Sequence, residues 1–147
     1  MNKIYLILAL TAGFVLPLQI AFNNKLTSFS GNAITSSLIS FSVGTIALII
    51  YSVSNPMALY KSFLQLGQSP PYAWLGGLVG AFYIISTIVA SPKLGIAVFL
   101  GLVICGQMAM SLLLDHYGLF GMPVKPFNWV KGIGLMLVLA GILLIKK

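Results

Sequence analysis

Acidic side chains are almost absent from this chain of 147 residues: Asp115 stands alone, and there is no glutamate and no arginine. Histidine and cysteine occur once each, as His116 and Cys105. These absences exclude a great deal. One cysteine cannot form an internal disulfide. No cluster of carboxylates, histidines or cysteines has metal-ligand spacing, so no metal site is expected. No glycine-rich phosphate loop occurs, and no cofactor is implied. The serines lack a charged base that could activate them. No residue is nominated as catalytic, and the chain does not read as an enzyme.

What the chain has instead is apolar sequence. Its hydrophobic fraction is 59% and its charged fraction 6%, against about 25% charged in soluble domains. Five apolar stretches, at about 4–22, 33–53, 72–91, 94–114 and 129–145, approach the roughly 20 residues that a spanning helix needs. With short loops they use nearly all the chain, so a single transmembrane domain over 1–147 is expected. Met1-Asn2-Lys3 and the following apolar run also fit the start of a signal peptide. Pro17 and Gln19, however, occupy the place of a small-residue cleavage site.

Between spans two and three, Pro56 breaks the helix. Met57, Tyr60, Phe63, Leu64 and Gly67 then recur at helical spacing, with Lys61 and Gln65 between them. This pattern fits a short interfacial helix or an ordinary loop. Pro92-Lys93 reads as a very tight connection between spans three and four. Small residues line several spans: Ser36, Ser40 and Gly44; Gly76 and Gly80; Gly101, Cys105 and Ala109. Such stripes let helix backbones approach closely in lipid.

The basic residues are all lysines. On the expected spans, Lys3, Lys61, Lys125 and Lys131 fall on one side and Lys25, Lys93, Lys146 and Lys147 on the other. Basic residues near span ends set orientation by staying cytoplasmic, and four against four gives no bias. The chain is therefore expected to insert both ways up and to pair as an antiparallel, dual-topology homodimer of ten helices. The formal charge of +7 is spread over span ends without clustering. That distribution points to anionic lipid headgroups, not nucleic acid.

Few polar residues lie within the spans. Gln107 falls near the bilayer centre, where lipid offers an amide no partner. It could bond another helix or contact a solute. Ser111 and Asp115 follow at four-residue steps on the same face. Gln19 and Asn23 form a similar pair on the first span, as contact residues or as a polar helix end. Phe82, Tyr83 and Ser86 lie near mid-depth of the third span, as core or as cavity lining. Asp115-His116 sits near the membrane edge and reads as a structural pair more readily than as a proton relay. An inverted partner would bring its Lys25 to the side of Asp115, making both, with His116, Gly76 and Gly80, candidate dimer or gating contacts.

Five segments carry a family resemblance: LPLQIAFNNKL (16–26), ISFSVGT (39–45), WLGGLVGAFYI (74–84), PKLGIAVFLGLVICGQMAMSLLLDHYGLFG (92–121) and GIGLMLVLAGILLI (132–145). They resemble the YdcZ family of bacterial inner-membrane proteins, within the drug/metabolite transporter superfamily. The GQ at Gly106-Gln107 and the DHYG at Asp115–Gly118 are the most specific marks. The last three spans are also similar to those of small multidrug resistance exporters. The resemblance implies one five-helix repeat, completed by an inverted copy or an oppositely oriented paralogue, with a substrate site near the midplane. Those exporters carry a central glutamate in the first span, where this chain has Gly13, Phe14 and Val15. Their exchange of cations for protons cannot be carried over. The expected function is transport of a small organic molecule or metabolite by alternating access, the alternatives being a pore or a non-transporting scaffold.

Overall fold

The structure is a computed structural model that describes residues 3–146. Met1, Asn2 and Lys147, which entered the signal-peptide and lysine readings, lie outside the described residues. The regular elements of the described chain are helices: α1 (Lys3–Ser30), α2 (Ala33–Val53), α3 (Pro56–Leu66), α4 (Gly76–Leu94), α5 (Ile96–Tyr117) and α6 (Trp129–Ile145). Short 3₁₀ turns at Pro71–Leu75 and Leu119–Gly121 precede α4 and follow α5. Four helical segments are long and apolar enough to cross a membrane: Lys3–Ser30, Ala33–Val53, Pro71–Leu94 and Ile96–Tyr117. The fifth, α6, is apolar but shorter, at 17 residues. That length sits at the lower limit for a span.

The chain forms two compact units, Met1–Val89 and Ala90–Lys147. In the first unit α1 packs on α2, and α2 contacts α3. In the second, α5 packs on α6.

Helix ends follow local chemistry. Three helices open on an asparagine whose Oδ1 accepts backbone N–H groups that the first turn leaves without intrahelical partners. Asn32 accepts from Ile34 at 2.8 Å, Asn55 from Ala58 at 3.2 Å, and Asn128 from Lys131 at 2.9 Å. The first span was expected to end near Phe22, but α1 continues to Ser30. The polar residues there fit the helix because their hydroxyls bond back to it: Thr27 Oγ1 to the Asn23 carbonyl at 2.9 Å, and Ser28 Oγ to that of Lys25 at 2.7 Å. Gly31, at φ 67°, stops α1 and donates to the Thr27 carbonyl at 2.9 Å, as a left-handed terminator does. Pro17 lies inside α1 and leaves the Gly13 carbonyl without its intrahelical donor.

Two other boundaries are settled. The segment after Pro56 is a helix, opened by Asn55 with Pro56 in its first turn. The break between spans three and four is not at Pro92-Lys93. Helix α4 runs through Pro92 to Leu94. The break falls at Gly95, φ 82°, whose N–H bonds the Ser91 carbonyl at 2.9 Å. A proline in a last helical turn removes one hydrogen bond, but only glycine adopts such a φ at no steric cost.

The α5–α6 pairing depends on a glycine. A Cβ on Gly101 would lie 2.6 Å from Cγ1 of Ile142, and Ile142 is buried. Gly101 thus lets α6 approach as the small-residue stripe predicts.

Candidate functional site

Each unit holds a cleft lined in part by polar side chains, most of which make no hydrogen bond among the described residues. In the first unit, a cleft of about 260 Å³ is lined by Gln19 of α1, by Ser40, Phe41, Gly44, Thr45 and Leu48 of α2, and by Ile84 of α4. Hydroxyls on apolar helices usually bond the carbonyl one turn back. Ser37 and Ser42 do so, at 2.8 Å to Ala33 and to Leu38. Ser40 and Thr45 do not, and together with the Gln19 amide they leave donors and acceptors available in the cleft. Phe41 also touches the position of a Gly80 Cβ, at 3.5 Å. Gly80 therefore packs within its own chain, while nothing lies near Gly76.

Asn23 behaves differently from its partner Gln19. It does not line that cleft, and it is neither a cap nor a snorkelling end, because α1 runs on for two further turns. Its side chain is buried at 4% exposure, and Nδ2 has no hydrogen-bond partner. A buried amide donor without a partner is costly.

In the second unit, a cleft of about 500 Å³ lies between α5 and α6. Gln107 and Ser111, expected on one face of α5, both line it, with Ile104, Met108 and Leu112. From α6 come Gly134 and Lys131. Gln107 is exposed at the middle of α5, and neither its amide nor the Ser111 hydroxyl bonds another described residue. Lys131 is half-buried. Its Nζ donates to the Pro126 carbonyl at 3.0 Å and to that of Lys125 at 3.4 Å. The sequence presented Lys131 only as an orientation charge.

Asp115 does not reach this cleft. It is half-buried, and its carboxylate has no ion-pair partner among the described residues. Its backbone carbonyl accepts the Lys125 N–H at 2.8 Å. Next to it, His116 Nδ1 accepts the Phe127 N–H at 3.1 Å. Gly118 then turns the chain at φ 60°, and a Cβ there would lie 2.7 Å from Cγ2 of Val124. The DHYG segment thus acts as a buckle. It ties residues 122–128 back along the end of α5.

The remaining candidates stand apart from either cleft. Phe82 is 74% exposed. It points away from the buried stripe of Ile84, Thr87, Ile88 and Ser91 on α4. Tyr83 and Ser86 are half-buried. The Tyr83 carbonyl accepts from the Thr87 hydroxyl at 2.8 Å. Lys25 is exposed, with Nζ 5.1 Å from the centre of the Phe29 ring, a cation–π arrangement.

No curated sequence and no solved structure matches this chain. A family model does, over residues 4–144, under the description "Putative inner membrane exporter, YdcZ". Four apolar helices of spanning length and a match over nearly the whole sequence agree, and the chain belongs to the YdcZ family, as a multi-pass transporter protein of the inner membrane.

Proposed function

We propose that the chain is one five-span half of a transporter, with α6 as the fifth span. An inverted copy of itself, or an oppositely oriented paralogue, completes it. The pair moves a small organic molecule by alternating access. The observation that carries this reading is Gln107. A primary amide exposed at the middle of a spanning helix, with no partner among the described residues, is unfavourable against lipid. It calls for a polar cavity or a second chain. Ser111 and Lys131 in the same cleft extend that requirement from one side chain to a surface. Substrate sites between inverted repeats meet it.

The lysine distribution supports the assembly. Equal counts on the two sides let one sequence supply both orientations. Reporter fusions at the C-terminus should then be active on both sides of the membrane. Activity on one side alone would sink the homodimer and require a separate partner. For transport itself, Gln107→Leu should fold and insert normally but lose saturable solute flux in proteoliposomes. Unchanged flux would remove Gln107 from the pathway.

A further inference from the structure

We propose that the α5–α6 cleft takes the anionic head of a small amphiphile, with Lys131 holding the charge and Gln107 and Ser111 supplying hydrogen bonds. This names a substrate class for the site and rests on the transport reading above.

Charge is the first argument. Among the described residues Lys131 is the one charged side chain that lines the cleft. Its ammonium is held in place by the carbonyls of Pro126 and Lys125, at 3.0 and 3.4 Å. Two carbonyls position the group without neutralising it, and an ammonium has three N–H donors, so one remains. The chain has a single acid to set against eight lysines, and that acid, Asp115, is not paired with Lys131. Half-burial of Lys131 weakens solvent screening. The cleft therefore repels a cation and attracts an anion.

The helix end adds to this. Lys131 lies in the first turn of α6, where backbone N–H groups give a helix its positive end. It is the lysine and the dipole together, in one cleft with Gln107 and Ser111 of another helix, that make a site.

The rest of the lining sets the body of the ligand. Ile104, Met108 and Leu112 are apolar, and Gly134 leaves room beside them. A cavity of about 500 Å³ accommodates a ring or short chain behind the head. A free organic anion and an anionic lipid headgroup share this chemistry.

Three probes with one ring and different charge separate the possibilities: benzenesulfonate, benzyl alcohol and benzyltrimethylammonium. Binding is read on delipidated protein in nonionic detergent, from Trp129 fluorescence in a Trp74→Phe background. Benzenesulfonate should bind at least tenfold more tightly than the other two. Lys131→Gln should lose that preference and Lys131→Arg keep it. The comparison of probes on the unmutated cleft stands even if a variant fails to fold. Equal or tighter binding of the ammonium probe, or a Lys131→Gln protein with unchanged preference, overturns the proposal.

Proteoliposomes then distinguish the sources and the two readings. Benzenesulfonate uptake that needs Lys131 identifies a free anion as cargo. Binding without uptake, displaced by dioctanoyl phosphatidylglycerol, identifies a lipid headgroup; the anion site then stands and the transport role of the cleft falls. Uptake of the ammonium probe that needs Gln107 but not Lys131 leaves transport standing and overturns the anion site.

Discussion

The Nδ1 of His116 accepts a hydrogen bond from the backbone N–H of Phe127 at 3.1 Å. With the Asp115 carbonyl to Lys125 N–H bond at 2.8 Å, it fastens the segment before α6 to the end of α5. His116→Ala removes the acceptor and leaves the Phe127 amide to solvent. A bond of this kind is worth about 0.5–1.5 kcal/mol. Hydrogen exchange over the peptide containing Phe127 should quicken by up to roughly tenfold. No change there would show that the segment is held without His116.

Gly101 and Ile142 give a packing prediction. A Cβ at 2.6 Å from a buried Ile142 cannot be accommodated without movement of α6. Gly101→Ala should destabilise the second unit by about 1–3 kcal/mol, the usual range for overpacking. Ile142→Ala in the same chain should recover part of that loss by making space. Thermal melts of the two single variants and the double variant test the pair; additive losses would count against the contact.

Asn23 gives a stability prediction. Its Nδ2 is buried without a partner, a burden of about 1–3 kcal/mol. Asn23→Leu keeps a similar size and removes the amide. The variant should melt higher in detergent. A lower melting temperature would mean that the amide is satisfied in the assembled protein.

The proposed inverted pairing makes its own demand on charge. Lys25 and Asp115 have no ion-pair partner within the described chain, and inversion would bring one copy's Lys25 to the side of the other's Asp115. Lys25→Glu should weaken the dimer, and Asp115→Lys added to it should restore assembly in part. Crosslinking yields that ignore the first change would refute the contact.

Much of this architecture was readable from residue patterns. Long apolar runs gave the helices, because in lipid the backbone must satisfy itself. The Gln107–Ser111 face was readable because a four-residue step returns to one side of a helix. Helix ends were harder. Hydropathy falls at Asn23, yet the helix does not end there, since Thr27 and Ser28 bond back to it. Pro92 looked like the stronger break, but Gly95 has the backbone freedom the turn requires. Lys131 was hidden for a different reason. Its place in the cleft depends on α6 packing beside α5, a long-range relation that no local pattern records. The buckle role of His116 was invisible likewise, since its donor lies eleven residues away.

Lys131 has two duties at two different times. While the chain is being inserted, its charge is one vote in the choice of orientation. Once α6 is packed, the same ammonium is bonded by two carbonyls, and its side chain lines the cleft. On the proposed two-way insertion, neutralising it alone changes the census of up and down copies as well as the binding surface. Lys131→Gln paired with Lys93→Gln keeps the vote level and isolates the second duty. Evolution of this cleft would be under the same constraint: a new charge for the cargo must be matched by one on the far side of the membrane.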